Sequence, residues 1–247
     1  MTEPKNALVT GATSGIGMAT VRALHDAGFS VLAVGRRQDR LEELAHETGC
    51  KWAALDVRDV DGLTKVIADF APDVLVNNAG VGHGITGFEA LEPHLIQESF
   101  DINVVAPIQM SSVALAGMRA RGRGHIVNIG SIAGLHTLVS AIYGGTKGAM
   151  HIFSQNLRFE LRGSGIRVTE ICPGRVESEF YAVAAGDREK LGKMGNAGIH
   201  SLQPQDIAAA IMFAVQAPPH VNVSMIEVLP TEQAVGGVDM TPVSKPQ

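Results

Sequence analysis

Short apolar runs alternating with longer stretches of helical period are the feature that most limits how this chain can fold. Ala7–Thr10, Ser30–Val34, Trp52–Leu55, Val74–Val76, Ile126–Ile129, Val168–Ile171 and Ser224–Leu229 each have the length and apolar character of a buried strand. Between the first two, Ile16, Ala19, Thr20, Ala23, Leu24 and Ala27 fall on one helical face, and Gly28 ends that helix as a C-cap. Leu41, Leu44 and Ala45 carry the next helix. Such alternation predicts an α/β fold, a parallel sheet with helices on both faces. The length of 247 residues admits one large domain or two small ones. No Pro/Ser-rich linker, composition break or internal repeat divides it, so residues 1–247 are expected to form one domain.

Composition narrows the classes of function. An apolar content of 45% supports a sizeable core and excludes a wholly disordered chain. Twenty Lys+Arg against 25 Asp+Glu give a net charge of −5, spread along the chain. That distribution offers no electrostatic case for nucleic acid or an anionic membrane as partner. No run approaches a membrane span, and the start of the chain lacks the regions of a secretory signal. Cys50 and Cys172, both near predicted strands, suit free core thiols better than a disulfide. His83, His125, His136 and the other histidines show no metal-ligand spacing, and most are expected at the surface or behind the site. The expectation is a metal-free cytoplasmic protein acting on a small molecule.

The first strand–helix junction carries the chemistry. Thr10-Gly11-Ala12-Thr13-Ser14-Gly15-Ile16-Gly17 spans it. Glycines let the backbone approach a pyrophosphate, and the free N–H groups and dipole at Gly15–Gly17 favour its charge. Strand, turn and helix in this order predict a dinucleotide site contacted by Gly11, Thr13, Ser14, Gly15, Ile16 and Gly17. The end of the second strand selects the dinucleotide. An NAD ribose calls for Asp or Glu roughly 20 residues past the turn, and the chain instead has Arg36 and Arg37. Arg36 can take a 2′-phosphate bidentately, and Arg37 adds positive field. The pair could instead be a solvated start to the next helix, but cations there oppose the helix dipole. NADP(H) is the expected cofactor.

With this turn, Asn77-Asn78-Ala79-Gly80 after Val74–Val76, Asn103, Ser131, Tyr143 with Lys147, and Pro173-Gly174 after the sixth strand make the chain similar to the short-chain dehydrogenase/reductase family over essentially its whole length. The resemblance implies a Rossmann-type doubly wound sheet and an NADP(H)-dependent oxidoreductase acting on CH–OH groups. It also implies a homodimer or homotetramer and four catalytic positions, Asn103, Ser131, Tyr143 and Lys147. Further cofactor contacts are implied at Asp56 and Val57 beside the adenine, at Asn78, Ala79 and Gly80, and at Pro173, Gly174 and Val176. Tyr143 and Lys147 are implied to touch the cofactor too. For Asn103, to which spacing assigns no role, the resemblance implies support of a water chain to Lys147.

The residues argue part of this themselves. Tyr143 and Lys147 stand four apart at a predicted helix start, so both project from one face. An isolated phenol, with its pKa near 10, is a poor base at neutral pH; a nearby ammonium and an oxidised nicotinamide ring both lower that value. Ser131 follows the fifth strand at the carboxyl edge of the sheet, where open α/β sheets bind ligands. Its hydroxyl can hold a substrate oxygen while Tyr143 moves the proton and the nicotinamide exchanges hydride. Other readings stay open. Asp56 could N-cap the helix beginning near Val60. Gly144-Gly145 weakens a helix start and suggests close packing against cofactor or a partner subunit. The Met150, Phe153 and Leu157 stripe suits a subunit interface or an internal core.

Substrate identity is written more faintly. Gly35-Arg36-Arg37-Gln38 with Asp39-Arg40-Leu41, Gly124–Ser131, Pro219–Val223 and Glu227–Pro230 resemble the branch containing NADP-dependent serine/3-hydroxy acid dehydrogenases and sulfoacetaldehyde reductases. This implies a small, polar, often acidic alcohol or carbonyl substrate. Arg175 could pair with its carboxylate or sulfonate, or face outward onto Glu177 or Glu179. Phe180 and Tyr181 could instead wall an apolar site, which keeps a general carbonyl reductase open. A non-catalytic dinucleotide sensor is the reading from another class, and an intact Tyr143–Lys147 pair argues against it. The glycine-studded stretch 178–201 is expected to be a mobile lid, and the tail from about 230 to 247 to be extended.

Overall fold

The computed structural model of the protein describes residues 5–85, 91–137, 140–185 and 200–233. Seven strands pair in the order β3-β2-β1-β4-β5-β6-β7, every pairing parallel. They are β1 (Asn6–Thr10), β2 (Ser30–Gly35), β3 (Lys51–Ala54), β4 (Val74–Asn77), β5 (Gly124–Ile129), β6 (Ile166–Pro173) and β7 (Met225–Val228). All seven expected strands are present, with ends shifted by one or two residues. Successive side chains of β1 go to opposite faces, so Ala7 and Val9 enter one core while Leu8 enters the other. Both faces must therefore be covered.

On the Ala7 face lie α1 (Gly15–Asp26), α2 (Gln38–Thr48) and α8 (Pro204–Gln216), supplying Leu24, Leu41, Ile207 and Ile211. The Leu8 face is covered by α3 (Val60–Phe70), α5 (Ala106–Arg121) and α6 (Ala141–Glu160), through Ile67, Met118 and Leu157. Of two shorter helices, α7 (Glu179–Ala185) borders the site and α4 (Pro93–Phe100) packs beside α6. Gly28, at φ +82°, ends α1 as expected. The strand order reverses between β1 and β4, which opens a crevice at their carboxyl ends.

Several local expectations need correction. Asp59, not Asp56, caps α3, accepting from the Gly62 N–H at 3.0 Å. Most histidines are expected outside the core, and His125 is an exception: it is buried on β5, beside Thr169 at 2.8 Å, and burial pushes its imidazole down to about 3. Met150 and Leu157 are buried and Phe153 packs on the core, so that stripe is internal. Both cysteines are free and buried, as expected from the sequence. Residues 231–233, the described start of the tail, form a turn, with the Gln233 N–H reaching the Pro230 carbonyl at 3.0 Å. Of the expected lid only its first part, which contains α7, and its last two residues are described; residues 186–199 and 234–247 lie outside the described residues. No described helix is long and apolar enough to cross a membrane.

Candidate active site

The crevice is a cleft of about 640 Å³ running from the end of β2 to the ends of β5 and β6. At its centre the β1–α1 turn requires glycine. Gly11 sits at φ +65°, and a Cβ there would come within 2.8 Å of Asn78 Nδ2 and 2.9 Å of the Ala79 Cα. Thr10 Oγ1 accepts from the N–H groups of Asn78 and Ala79, each at 3.1 Å, and Asn78 Nδ2 donates back to the Thr10 carbonyl at 2.9 Å. The turn and the end of β4 are thus one unit. Gly11, Thr13, Ser14, Gly15, Ile16, Asn78, Ala79 and Gly80 all line the cleft. Gly17 does not; its missing side chain lets α1 pack directly on the Gly11 carbonyl.

At the β2 end, Arg36 and Arg37 behave differently. Arg37 Nε and Nη2 donate to Thr13 Oγ1 at 3.1 and 2.9 Å, and its Nη1 meets Glu179 at 2.7 Å. Arg36 is 62% exposed, and its nearest carboxylate, Asp56, is 3.9 Å away. Asp56 itself is held by Arg58 at 2.8 and 2.9 Å, a pairing that keeps its carboxyl below the usual range. Arg36 is the cation with donors free for a ligand. Asp56 and Val57 line the same end of the cleft.

The other end gathers Ser131, Tyr143 and Lys147. Ser131 lies just past the end of β5 and caps a short 3-10 turn, its Oγ accepting from the Ala133 N–H at 3.1 Å. Gly134 of that turn packs on the Lys147 backbone, and Gly144 on the Ala133 carbonyl. Gly144 therefore serves close packing within the chain, while Gly145 faces open space. Burial pushes the Tyr143 phenol above its ordinary value, and the nearby Ser131 hydroxyl opposes the rise. Lys147 donates to the Ile129 carbonyl at 2.7 Å and lies 5.7 Å from the Tyr143 ring centre. Burial brings its ammonium down to about 8, with Cys172 and Glu170 opposing.

Asn103 is not on the cleft wall. A π-helical turn (Asp101–Val105) buries it, and its amide is fully engaged with Val81 N–H and C=O at 2.8 Å each and Thr146 Oγ1 at 3.1 Å. Its Oδ1 and Lys147 Nζ both face Gly80, where a Cβ would stand 3.2 and 3.8 Å from them. Behind the site, Asn77, Asn128 and Ser154 form a buried hydrogen-bonded row at 2.8 and 2.9 Å that fixes α6 to β4 and β5. Pro173, Gly174, Arg175 and Val176 line the cleft from the end of β6. The Arg175 guanidinium stacks on Tyr181, 4.9 Å from its ring centre. Among the described residues no carboxylate reaches it, because Glu177 pairs with Gln203 and Glu179 with Arg37 and Arg40. Phe180 packs 5.4 Å from the Tyr143 ring.

Two residues that sequence reasoning passed over, and Glu179, which it offered only as a partner for Arg175, also matter. Ser178 and Gln233 line the cleft, and Gln233 Oε1 accepts the Arg175 N–H at 2.9 Å. Glu179 bridges two arginines. No motif or period marks any of them. Among the described residues there is no metal-binding group of His, Cys, Asp and Glu.

A glycine-turned crevice at the strand-order reversal, ending on a serine, a tyrosine and a lysine, defines a dinucleotide-binding α/β protein of the oxidoreductase type. The chain belongs to the short-chain dehydrogenase family, whose model matches residues 5–188. It is 38% identical over 94% of its length to an NADP-dependent 3-hydroxy acid dehydrogenase of Salmonella typhi, covering 98% of that protein. It is 37% identical to sulfoacetaldehyde reductase 2 of Chromohalobacter salexigens, over 92% of this chain and 94% of that one. A solved closed form of serine dehydrogenase complexed with NADP+ superposes with a TM-score of 0.89 at 36% identity, covering 96% of this chain and 99% of that one.

Proposed function

We propose that the protein is an NADP(H)-dependent oxidoreductase interconverting a small alcohol that bears an anionic group and the corresponding carbonyl compound. NADP(H), when bound, supplies or accepts the hydride. Its fit is supported by the glycine-walled turn, by Asn78, Ala79 and Gly80 along the β4 end, and by the free donors of Arg36 at the 2′-phosphate position. In the reducing direction Ser131 Oγ–H holds the carbonyl oxygen and Tyr143 delivers the proton to it; in oxidation Tyr143 takes that proton back. The Lys147 ammonium stabilises the phenolate left behind. Asn103 acts as a positioning residue, tying the Val81 backbone to the helix that carries Lys147. Residues 1–247 act as one domain.

The observation that carries the substrate class is Arg175: a guanidinium on the wall shared with Ser131 and Tyr143, with no carboxylate on it among the described residues. Its charge suits a carboxylate or sulfonate. The relatives named for 3-hydroxy acids, serine and sulfoacetaldehyde fit the same chemistry. Phe180 beside Tyr143 supports a second reading, a reductase of apolar ketones and aldehydes. A panel of 3-hydroxy acids, serine, sulfoacetaldehyde and simple ketones, run in both directions, separates the two. Arg175→Ala should raise KM for the anionic substrate by about 10- to 100-fold and leave neutral ketones unchanged. Unchanged affinity for the anion would remove Arg175 from the site.

The buried lysine also sets a pH dependence. Reduction needs the phenol protonated and the ammonium charged. The raised phenol stays protonated across the neutral range, whereas Lys147 loses its charge as pH rises through about 8. The kcat/KM for carbonyl reduction should therefore fall above that pH. A flat profile through about pH 9.5 would show that the Lys147 charge is not required.

Assembly and location belong to the same reading. Ile152 and Phe159 on α6 and Phe213 on α8 are exposed apolar side chains, which supports a homodimer or homotetramer. Two free buried thiols suit a reducing cytoplasm.

A further inference from the structure

We propose that Glu179 is a positioning residue for the reaction: by bridging Arg37 and Arg40 it holds the first turn of α7 across the cleft, with Phe180 and Tyr181 at the substrate end. Four consecutive residues reach four different walls. Ser178 lies over the pyrophosphate turn, where a Cβ on Gly15 would come within 3.3 Å of its own. Glu179 turns toward the adenosine end and meets Arg37 Nη1 and Arg40 Nη1, each at 2.7 Å. Phe180 turns the other way, onto Gly82 and the Tyr143 ring. Tyr181 lies under the Arg175 guanidinium. Neighbours on a helix point about 100° apart, so a start at Glu179 sends its carboxylate and the two aromatic rings to different parts of the cleft.

The anchor is preset. Arg37 and Arg40 are both held on Thr13, whose carbonyl accepts from Arg37 Nη2 at 3.2 Å and Arg40 Nη1 at 3.3 Å. Two oriented guanidinium groups therefore receive one carboxylate through both of its oxygens. The anchor sits on the first turn of α7, whose opening N–H groups have no partner within the helix and which therefore depends on its attachments. Arg37, read from the sequence as part of the 2′-phosphate site, is thereby committed to α7. The phosphate is left to Arg36, so losing Glu179 should act on the substrate end more than on cofactor binding.

Glu179→Gln, Arg40→Gln and the double variant test this by two routes. Amide exchange of a peptide covering Glu179–Ala185, read by mass spectrometry, needs no substrate and stands whether or not the proposed activity is right. In Glu179→Gln it should quicken by about fivefold, with the rest of the protein unchanged. Wild-type exchange should approach the variant's rate in about 1 M NaCl, while the variant hardly responds to salt. The double variant should match Glu179→Gln, since Arg40 reaches α7 through that carboxylate. The kinetic route rests on the proposed function and uses whichever panel compound turns over. KM should rise about fivefold with kcat within about twofold and the NADPH Kd within about threefold. Unchanged α7 exchange would overturn the proposal. So would faster exchange with an unaltered KM, or an NADPH Kd that weakens as much as KM rises.

Discussion

Tyr143→Phe is expected to leave NADPH affinity within about threefold of wild type and to cut turnover by roughly 10²- to 10⁴-fold, the range for loss of a positioned acid–base group. The substitution removes one oxygen and little else. The ring packs against Phe180, and a phenylalanine keeps that contact. The nearby Ser131 keeps the Ala133 N–H on its oxygen and opens onto the cleft, where water can take its hydroxyl proton, so stability should change by less than about 1 kcal/mol. A fluorescence titration with NADPH beside a turnover assay separates binding from chemistry. Wild-type-like turnover would mean that another group moves the proton.

The second large effect is at Arg36. Its guanidinium is free of any hydrogen-bonded carboxylate, with Asp56 at 3.9 Å and already claimed by Arg58. A charge-assisted contact to the 2′-phosphate contributes about 1.5–3 kcal/mol, or roughly 10- to 150-fold in affinity. Arg36→Ala should weaken NADPH by that factor and leave NADH, which lacks the phosphate, almost unchanged. Measuring both dissociation constants gives the ratio directly. A parallel loss for both cofactors would place the Arg36 contact on the adenosine or the pyrophosphate instead.

Much of this site was legible because its determinants are local. The glycine turn is eight consecutive residues, and Tyr143 and Lys147 share a helix face through a four-residue spacing. The alternation of apolar runs likewise located all seven strands. What stayed hidden depends on contacts between distant parts of the chain. Arg37 and Glu179 pair across 142 positions. Asn103 gains its partners from the loop after β4 and the first part of α6, which no spacing within its own segment reports. Arg175 had two readings until the start of α7 turned Glu179 toward Arg37 and Arg40. Gln233 reaches the cleft through a turn that follows Pro230, which no spacing in the sequence reports.

Hydride transfer itself is the most direct test of the central claim. NADPH carrying deuterium at the reactive ring carbon would be incubated with the protein and the carbonyl panel, and the alcohol products read by mass spectrometry. The expected result is deuterium on the carbinol carbon of an anionic product, formed by wild type and lost in Tyr143→Phe. Tight NADPH binding with no label transferred to any carbonyl tested would contradict that claim and leave a dinucleotide sensor in its place.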